Sequence, residues 1–166
     1  MHVHARLIWL LERLCTVLFL FMAIILFVQV VLRYLFADSL FWAEEAARYA
    51  MVWLIFLGSV MAACQGAHTR IGFFVDLLPE GPRRYVESGV TLLCALTCAA
   101  IAWYGITVVN VAMMSKSPAM RLPLGYVFSA APICCAVMAV IFLIRAVLQF
   151  TGRALPEQVP AEEVEV

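Results

Sequence analysis

Four long stretches of this chain run without a charged residue: Leu14 to Leu32, Tyr49 to Ala67, Ser88 to Ser115 and Leu122 to Ile144. Within them polar side chains do not alternate with apolar ones, as they would along a half-buried strand. A helix of about 20 apolar residues crosses the ~30 Å hydrocarbon core of a bilayer, and even the shortest stretch comes close to that length. Backbone groups in lipid must find partners within their own segment, so such stretches are helices or a closed barrel. The pattern therefore predicts an all-α integral membrane protein with four transmembrane helices, near 14–32, 49–67, 88–115 and 122–144.

The connections carry the polar pattern. Between the first and second spans the chain reads Arg33-Tyr34-Leu35-Phe36-Ala37-Asp38-Ser39-Leu40-Phe41-Trp42-Ala43-Glu44-Glu45-Ala46-Ala47-Arg48. Asp38 and Ser39 are good helix N-caps, and Glu44 and Arg48 are spaced for an i,i+4 pair. With Phe36, Leu40, Phe41 and Trp42 on the same segment, residues 38–48 are expected to form a short amphipathic helix at the outer membrane interface. The simpler alternative is that this segment only begins the second span. His68 to Glu87 is a link turned by Pro79, Gly81 and Pro82, with Arg83 and Arg84 opening the third helix. Lys116 to Arg121 is a short loop containing Pro118. Residues 1–152 make the membrane domain. Residues 153–166, with Pro156, Pro160, Glu157, Glu162, Glu163 and Glu165, read as an acidic, disordered tail.

Composition agrees with this reading. The chain has 166 residues, 66% of them hydrophobic and 13% charged. Soluble domains sit near 45–50% apolar and about 25% charged, and a domain this small cannot hide such an excess. The first stretch is longer than a signal-peptide core, and Arg33-Tyr34 follows it without a small-residue cleavage site, so it reads as a retained anchor. Basic residues set the orientation. Arg6, Arg13, Arg70, Arg83, Arg84, Arg145 and Arg153 fall on the side of the termini, against Arg33, Arg48, Lys116 and Arg121 on the other. Both termini are expected to be cytoplasmic.

The spans lack the residues that site chemistry needs. Ion and proton pathways place ionisable groups inside the bilayer, whereas the polar residues here are Gln29, Ser59, Gln65, Thr91, Thr97, Thr107 and Asn110, which suit helix–helix or intrahelical bonds. His2, His4 and His68 lie outside the spans, which disfavours a membrane haem. Cys15, Cys64, Cys94, Cys98, Cys134 and Cys135 lie within apolar runs with no metal spacing, which disfavours a thiol–quinone redox protein. No cofactor, metal site or catalytic residue is expected. The zero net charge gives no reason to expect nucleic acid. An independent four-helix exporter remains open but lacks its membrane carboxylate. Small residues recur every fourth position at Gly58, Ala62 and Gly66, at Ala95 and Ala99, and at Gly125 and Ser129, a spacing that lets helices approach closely. Together these features favour a protein that packs against a partner.

An ordered series of residues then carries a resemblance. It runs through Arg33-Tyr34, Trp42-Ala43-Glu44-Glu45, Ala47-Arg48, Trp53 and Phe56-Leu57-Gly58, then His68, Arg70-Ile71, Asp76, Leu78-Pro79 and Arg84. Trp103-Tyr104-Gly105, Ser117-Pro118, Leu122-Pro123, Tyr126 and Pro132 complete it. Over roughly Leu14 to Phe150 the chain resembles the small membrane subunit, of DctQ type, of tripartite ATP-independent periplasmic (TRAP) transporters. It departs from the pattern at Gly72, where the family often has an acid. The resemblance implies a scaffold subunit of a sodium-coupled importer of organic acids such as C4-dicarboxylates or sugar acids. Its implied partners are a large TRAP membrane subunit and a periplasmic substrate-binding protein, in the bacterial inner membrane, with membrane lipid around it. It also implies four spans and a helix lying along the membrane.

On that basis Arg33, Trp42, Glu44, Glu45, Arg48, Gly58, His68 and Arg70 are candidate subunit-interface or interfacial-anchor residues. Glu44 and Glu45 are expected to pair with basic residues of the large subunit or with Arg33 or Arg48, the alternative being a solvated helix face. His68 and Arg70 contact either lipid phosphates or the large subunit. Lys116, Ser117 and Arg121 are candidate periplasmic docking residues, the alternative being a plain connecting loop.

Overall fold

The computed structural model describes residues 2–36, 40–65 and 80–151. Three long helices come first: α1 (His2–Phe36), α2 (Phe41–Gln65) and α3 (Glu80–Ala112). A short α4 (Gly125–Phe128) then leads into α5 (Ala130–Thr151). Four crossings result, Ile8–Leu35, Phe41–Gln65, Tyr85–Ala112 and Gly125–Thr151, each long and apolar enough to span a membrane. The all-α expectation holds. The first helix outruns its apolar stretch at both ends, the second and third at their starts and the last at its end, because an intrahelical hydrogen-bond ladder continues past the hydrocarbon boundary as long as the sequence permits it.

The expected interfacial segment is helical from Phe41 to Arg48, but it runs without a break into the second span, so it forms the first turns of α2. Nothing from Phe41 to Tyr49 is a glycine or proline that would interrupt the ladder. Its expected caps, Asp38 and Ser39, lie outside the described residues, as do Gly66, His68, Arg70, Asp76 and the acidic tail. The break at Ser129 between α4 and α5 has a local cause. Pro132 supplies no N–H to the ladder, and Ser129 closes α4 with its backbone N–H on Gly125 O and its hydroxyl on Tyr126 O.

Two helix pairs make the body. α1 lies against α2, α3 lies against α5, and α2 and α5 join the pairs, giving the order α1, α2, α5, α3 across the layer. The arrangement leaves α1 and α3 the least buried crossings and α5 the most buried. Where the helices meet, the core comprises Leu11, Leu57, Val60, Ala63, Ala95, Cys134, Cys135, Met138 and Phe142. Outward lie Phe19, Phe27, Leu93, Trp103, Val140 and Val147, a surface suited to lipid or to another membrane helix.

Polar residues within the layer are locally satisfied. Ser59 and Thr97 bond the carbonyls of Ile55 and Leu93 one turn back. Buried Ser88 donates to Ala146 O across the α3–α5 seam, while Thr91 bonds Glu87 O and lies 3.0 Å from Gln149 Oε1. Among the described residues no buried side-chain nitrogen or oxygen lacks a partner. Arg13 stacks its guanidinium 5.3 Å from the Trp9 ring centre near the start of α1, a pairing that suits a membrane boundary.

Candidate functional site

The polar chemistry of the described residues gathers at the end of the layer where α2 begins and where α3 turns toward α4. The turn is ordered by its own backbone. Ser117 N–H donates to Leu122 O at 2.9 Å, Leu124 N–H to Ser115 O at 3.0 Å and Arg121 N–H to Ser117 O at 3.1 Å. Lys116 and Pro123 stand opposite one another as an antiparallel bridge. At the tip Arg121 takes a φ of 54°, the left-handed region that side-chain-bearing residues seldom adopt.

Glu45 holds this loop to α2. Its Oε2 accepts the backbone N–H groups of Ala119 at 3.1 Å and Met120 at 2.9 Å. The hydroxyls of Tyr49, one turn along α2, and Ser117 lie beside the same carboxylate. Ser117 is 2% exposed and accepts the Met120 N–H through its Oγ. Two loop amides aimed at one ionised oxygen form a charge-assisted arrangement stronger than neutral hydrogen bonds of the same length.

Glu44 is engaged differently. Its Oε1 accepts a 3.1 Å hydrogen bond from Gln29 Nε2 of α1, and Gln29 is buried. The two carboxylates thus clamp α2 to both neighbouring segments, α1 through Glu44 and the loop through Glu45. Arg33 and Arg48, the partners expected within the chain, are both exposed, as is Glu44. Ser117, expected to face a docking partner, is turned inward, because its hydroxyl completes the turn. Lys116 and Arg121 are exposed on either side of it, and Trp42 is exposed on the first turn of α2.

Gly58 is half-buried, and a Cβ built there would meet nothing within 4 Å. The small-residue ladder through Gly58 and Ala62 is therefore not the seam that α2 uses inside the chain. That seam is Ala43, Ala46, Ala47, Ala50, Leu57, Val60 and Ala63, all buried. At the opposite end, the half-buried Arg145 of α5 donates through its guanidinium to Cys64 O in the last turn of α2. Carbonyls there have no intrahelical partner, and a cation at a helix C-terminus is favourable. Composition had marked Arg145 only as a charge at the edge of an apolar run. Its reach to α2 depends on two helices being neighbours, which no local window reports. Arg145→Met is expected to lower the stability of the purified protein by about 1.5–3 kcal/mol, the range for a hydrogen bond to a charged group. Denaturant titration in mixed micelles checks this, and an unchanged midpoint would remove the cap from the account.

The six cysteines are free thiols. Among the described residues no three of His, Cys, Asp and Glu gather as a metal site.

Comparison of the sequence with known proteins places this chain among transporter components. A family model described as tripartite ATP-independent periplasmic transporters, DctQ component, matches residues 22–152. A TRAP transporter small permease protein of Haemophilus influenzae is 29% identical over 140 residues, covering 82% of this chain and 85% of that one. The sialic acid TRAP transporter permease protein SiaT of Haemophilus influenzae is 29% identical over 138 residues, which is 81% of this chain but only 22% of SiaT. The ectoine TRAP transporter small permease protein TeaB of Halomonas elongata is 26% identical over 128 residues, 75% of this chain and 66% of TeaB.

Proposed function

This chain belongs to the DctQ component family of tripartite ATP-independent periplasmic transporters, and on that premise we propose that it is the fixed scaffold of a sodium-coupled importer of small organic acids. It is a multi-pass membrane protein and a transporter subunit, from a family that is not one of enzymes. In the proposed complex it sits in the bacterial inner membrane with both termini cytoplasmic. It binds the large membrane subunit laterally and helps dock the periplasmic binding protein at the end that carries Glu45 and the 113–124 turn.

The observation that carries this reading is the open face that the four crossings leave around a small shared core. Among the described residues the buried polar side chains all have partners, and broad apolar faces of the helices are exposed. A subunit built in this way has surface for a partner, and its four apolar stretches carry no charged residue to bind an ion. SiaT supports lateral association, since it carries a segment similar to this chain within one much longer polypeptide. Seven arginines on the side of the termini, against three arginines and a lysine on the other, support the orientation.

The test is mild extraction through a tag on the C-terminus, with identification of what comes along. A large polytopic membrane protein in near-equal amount is the expected companion. A chain that purifies alone and stays folded would overturn the scaffold reading. Gly58 sharpens the test. Because a Cβ there meets nothing within 4 Å, Gly58→Leu leaves the isolated chain folded. If Gly58 faces the large subunit, that substitution lowers recovery of the companion by roughly tenfold or more, the equivalent of about 1.4 kcal/mol of lost interface packing. Full recovery would take Gly58 out of the interface.

A further inference from the structure

We propose that Glu45 is a positioning residue: through the amides of Ala119 and Met120 it holds the 113–124 turn in the conformation that presents Lys116 and Arg121 together to an acidic surface of the soluble binding protein. The inference rests on the docking role proposed above and adds to it the residue that organises the surface and the chemistry of the partner.

Three independent observations converge on this. The first is the latch itself, which joins residues 74 and 75 positions apart in sequence and so fixes the turn relative to α2. A loop held at its tip presents its side chains without the ordering cost that a free loop would meet on binding. The second is Arg121. A left-handed φ is inexpensive for glycine and strained for any other non-polar or long side chain, yet an arginine stands at φ 54°. Its backbone bond to Ser117 O holds it there. Strain of this kind marks a place where the side chain itself is wanted.

The third is the sorting of charge. Both described acids at this end are engaged within the molecule, Glu44 by Gln29 and Glu45 by the turn. The bases at the same end, Arg33, Arg48, Lys116 and Arg121, are all exposed. Those bonds come from neutral groups and leave both carboxylates charged, so the described charges at this end are four bases against two acids, and this positive balance speeds the encounter with an acidic partner and selects against a basic one. Arg33 and Arg48 lie on the membrane helices, where phosphate headgroups suit them. Lys116 and Arg121 lie on the turn beyond the crossings, and they are the two assigned to the soluble protein.

The experiment uses the complete membrane complex in nanodiscs of neutral phosphatidylcholine, with its own binding protein purified separately. Hydrogen exchange reports the latch and biolayer interferometry at low and high salt reports docking. In Glu45→Ala the amides of Ala119 and Met120 are expected to exchange at least about tenfold faster. Glu45→Gln, which keeps an acceptor oxygen, recovers part of that protection. Arg121→Gly relieves the backbone, so its melting temperature stays level or rises. Its docking weakens roughly two- to fivefold, as for loss of a charge at an interface rim, with a shallower dependence on salt. Unchanged exchange in Glu45→Ala would overturn the latch. Docking by the wild type that is equally strong in Glu45→Ala and Arg121→Gly would overturn this inference while leaving the docking role intact. A wild-type complex that fails to bind the protein at either salt would overturn the docking role itself. A defect in Arg121→Gly that shows only in anionic-lipid nanodiscs would reassign the turn to headgroups.

Discussion

Phe142→Ala is expected to lower the unfolding free energy by about 3 kcal/mol, among the largest losses that a single truncation in this chain can cause. Phe142 is 1% exposed and sits within the cluster that brings together Leu11 of α1, Leu57, Val60 and Ala63 of α2, Ala95 of α3 and Met138 of α5. In water such a change costs about 3–5 kcal/mol, part from transfer of the lost atoms and part from the cavity left behind. In a bilayer the transfer part is small, because lipid tails solvate an unpacked ring about as well as the protein does. The cavity part remains, and here it is large. Phe142 belongs to a cluster drawn from all four crossings, so its neighbours have little freedom to close the gap without parting from one another. The expected loss therefore falls at the low end of the aqueous range. Titration with a denaturing detergent in mixed micelles measures it. Leu143→Ala, the next residue but exposed, serves as the control and should shift the midpoint by less than about 0.5 kcal/mol. Equal shifts for the two would mean that Phe142 is not packed within the cluster that the four crossings share.

What was legible in the sequence follows from the solvent. Lipid demands an uninterrupted apolar run from any helix that crosses it, so the four crossings stand out in a one-dimensional pattern. Ends are less legible. The third apolar stretch continues to Ser115, but α3 stops at Ala112 because the residues after it enter the turn bridged by Lys116 and Pro123. The fourth stretch opens at Leu122, yet the long helix starts at Ala130, set by Pro132.

Pairings are the least legible of all. Gln29 and Glu44 meet across 15 residues and Glu45 reaches amides 74 residues away. In the sequence these were a polar residue in an apolar run and two acids on a helix face. Similarly, α2 carries small residues on more than one face. Spacing marked Gly58 and Ala62 as a face able to approach another helix, while the face packed within the chain is the stripe from Ala43 to Ala63. Periodicity says that close approach is permitted, and only the neighbouring helix decides which face uses it.

Gly105→Val is the second change expected to have a large effect, and it separates a glycine that the fold needs from those it tolerates. A Cβ at Gly105 would stand 3.0 Å from Pro132 Cβ and 3.4 Å from its Cγ and Cδ. The proline ring is closed on its own backbone, so it cannot rotate aside, and the two further methyls of valine would have to part α3 from α5. Overpacking of this sort costs about 1–3 kcal/mol. Valine opposes that with a gain in helix propensity over glycine of only about 0.3 kcal/mol, so the steric term wins and a net loss near 2 kcal/mol is expected. Gly125 presents a nearer obstacle, Met113 Cγ at 2.5 Å from a built Cβ, but that is a flexible side chain and methionine adapts to new shapes. Gly125→Ala should therefore cost less than Gly105→Val despite the shorter distance. Gly89, on the same helix as Gly105, has nothing within 4 Å, and Gly89→Val should stay within about 0.5 kcal/mol of the parent. Detergent-unfolding midpoints for the three variants give the order directly. If Gly105→Val proved as stable as Gly89→Val, α3 and α5 would not close at Pro132, and the layer on which the scaffold reading depends would lose its outer seam.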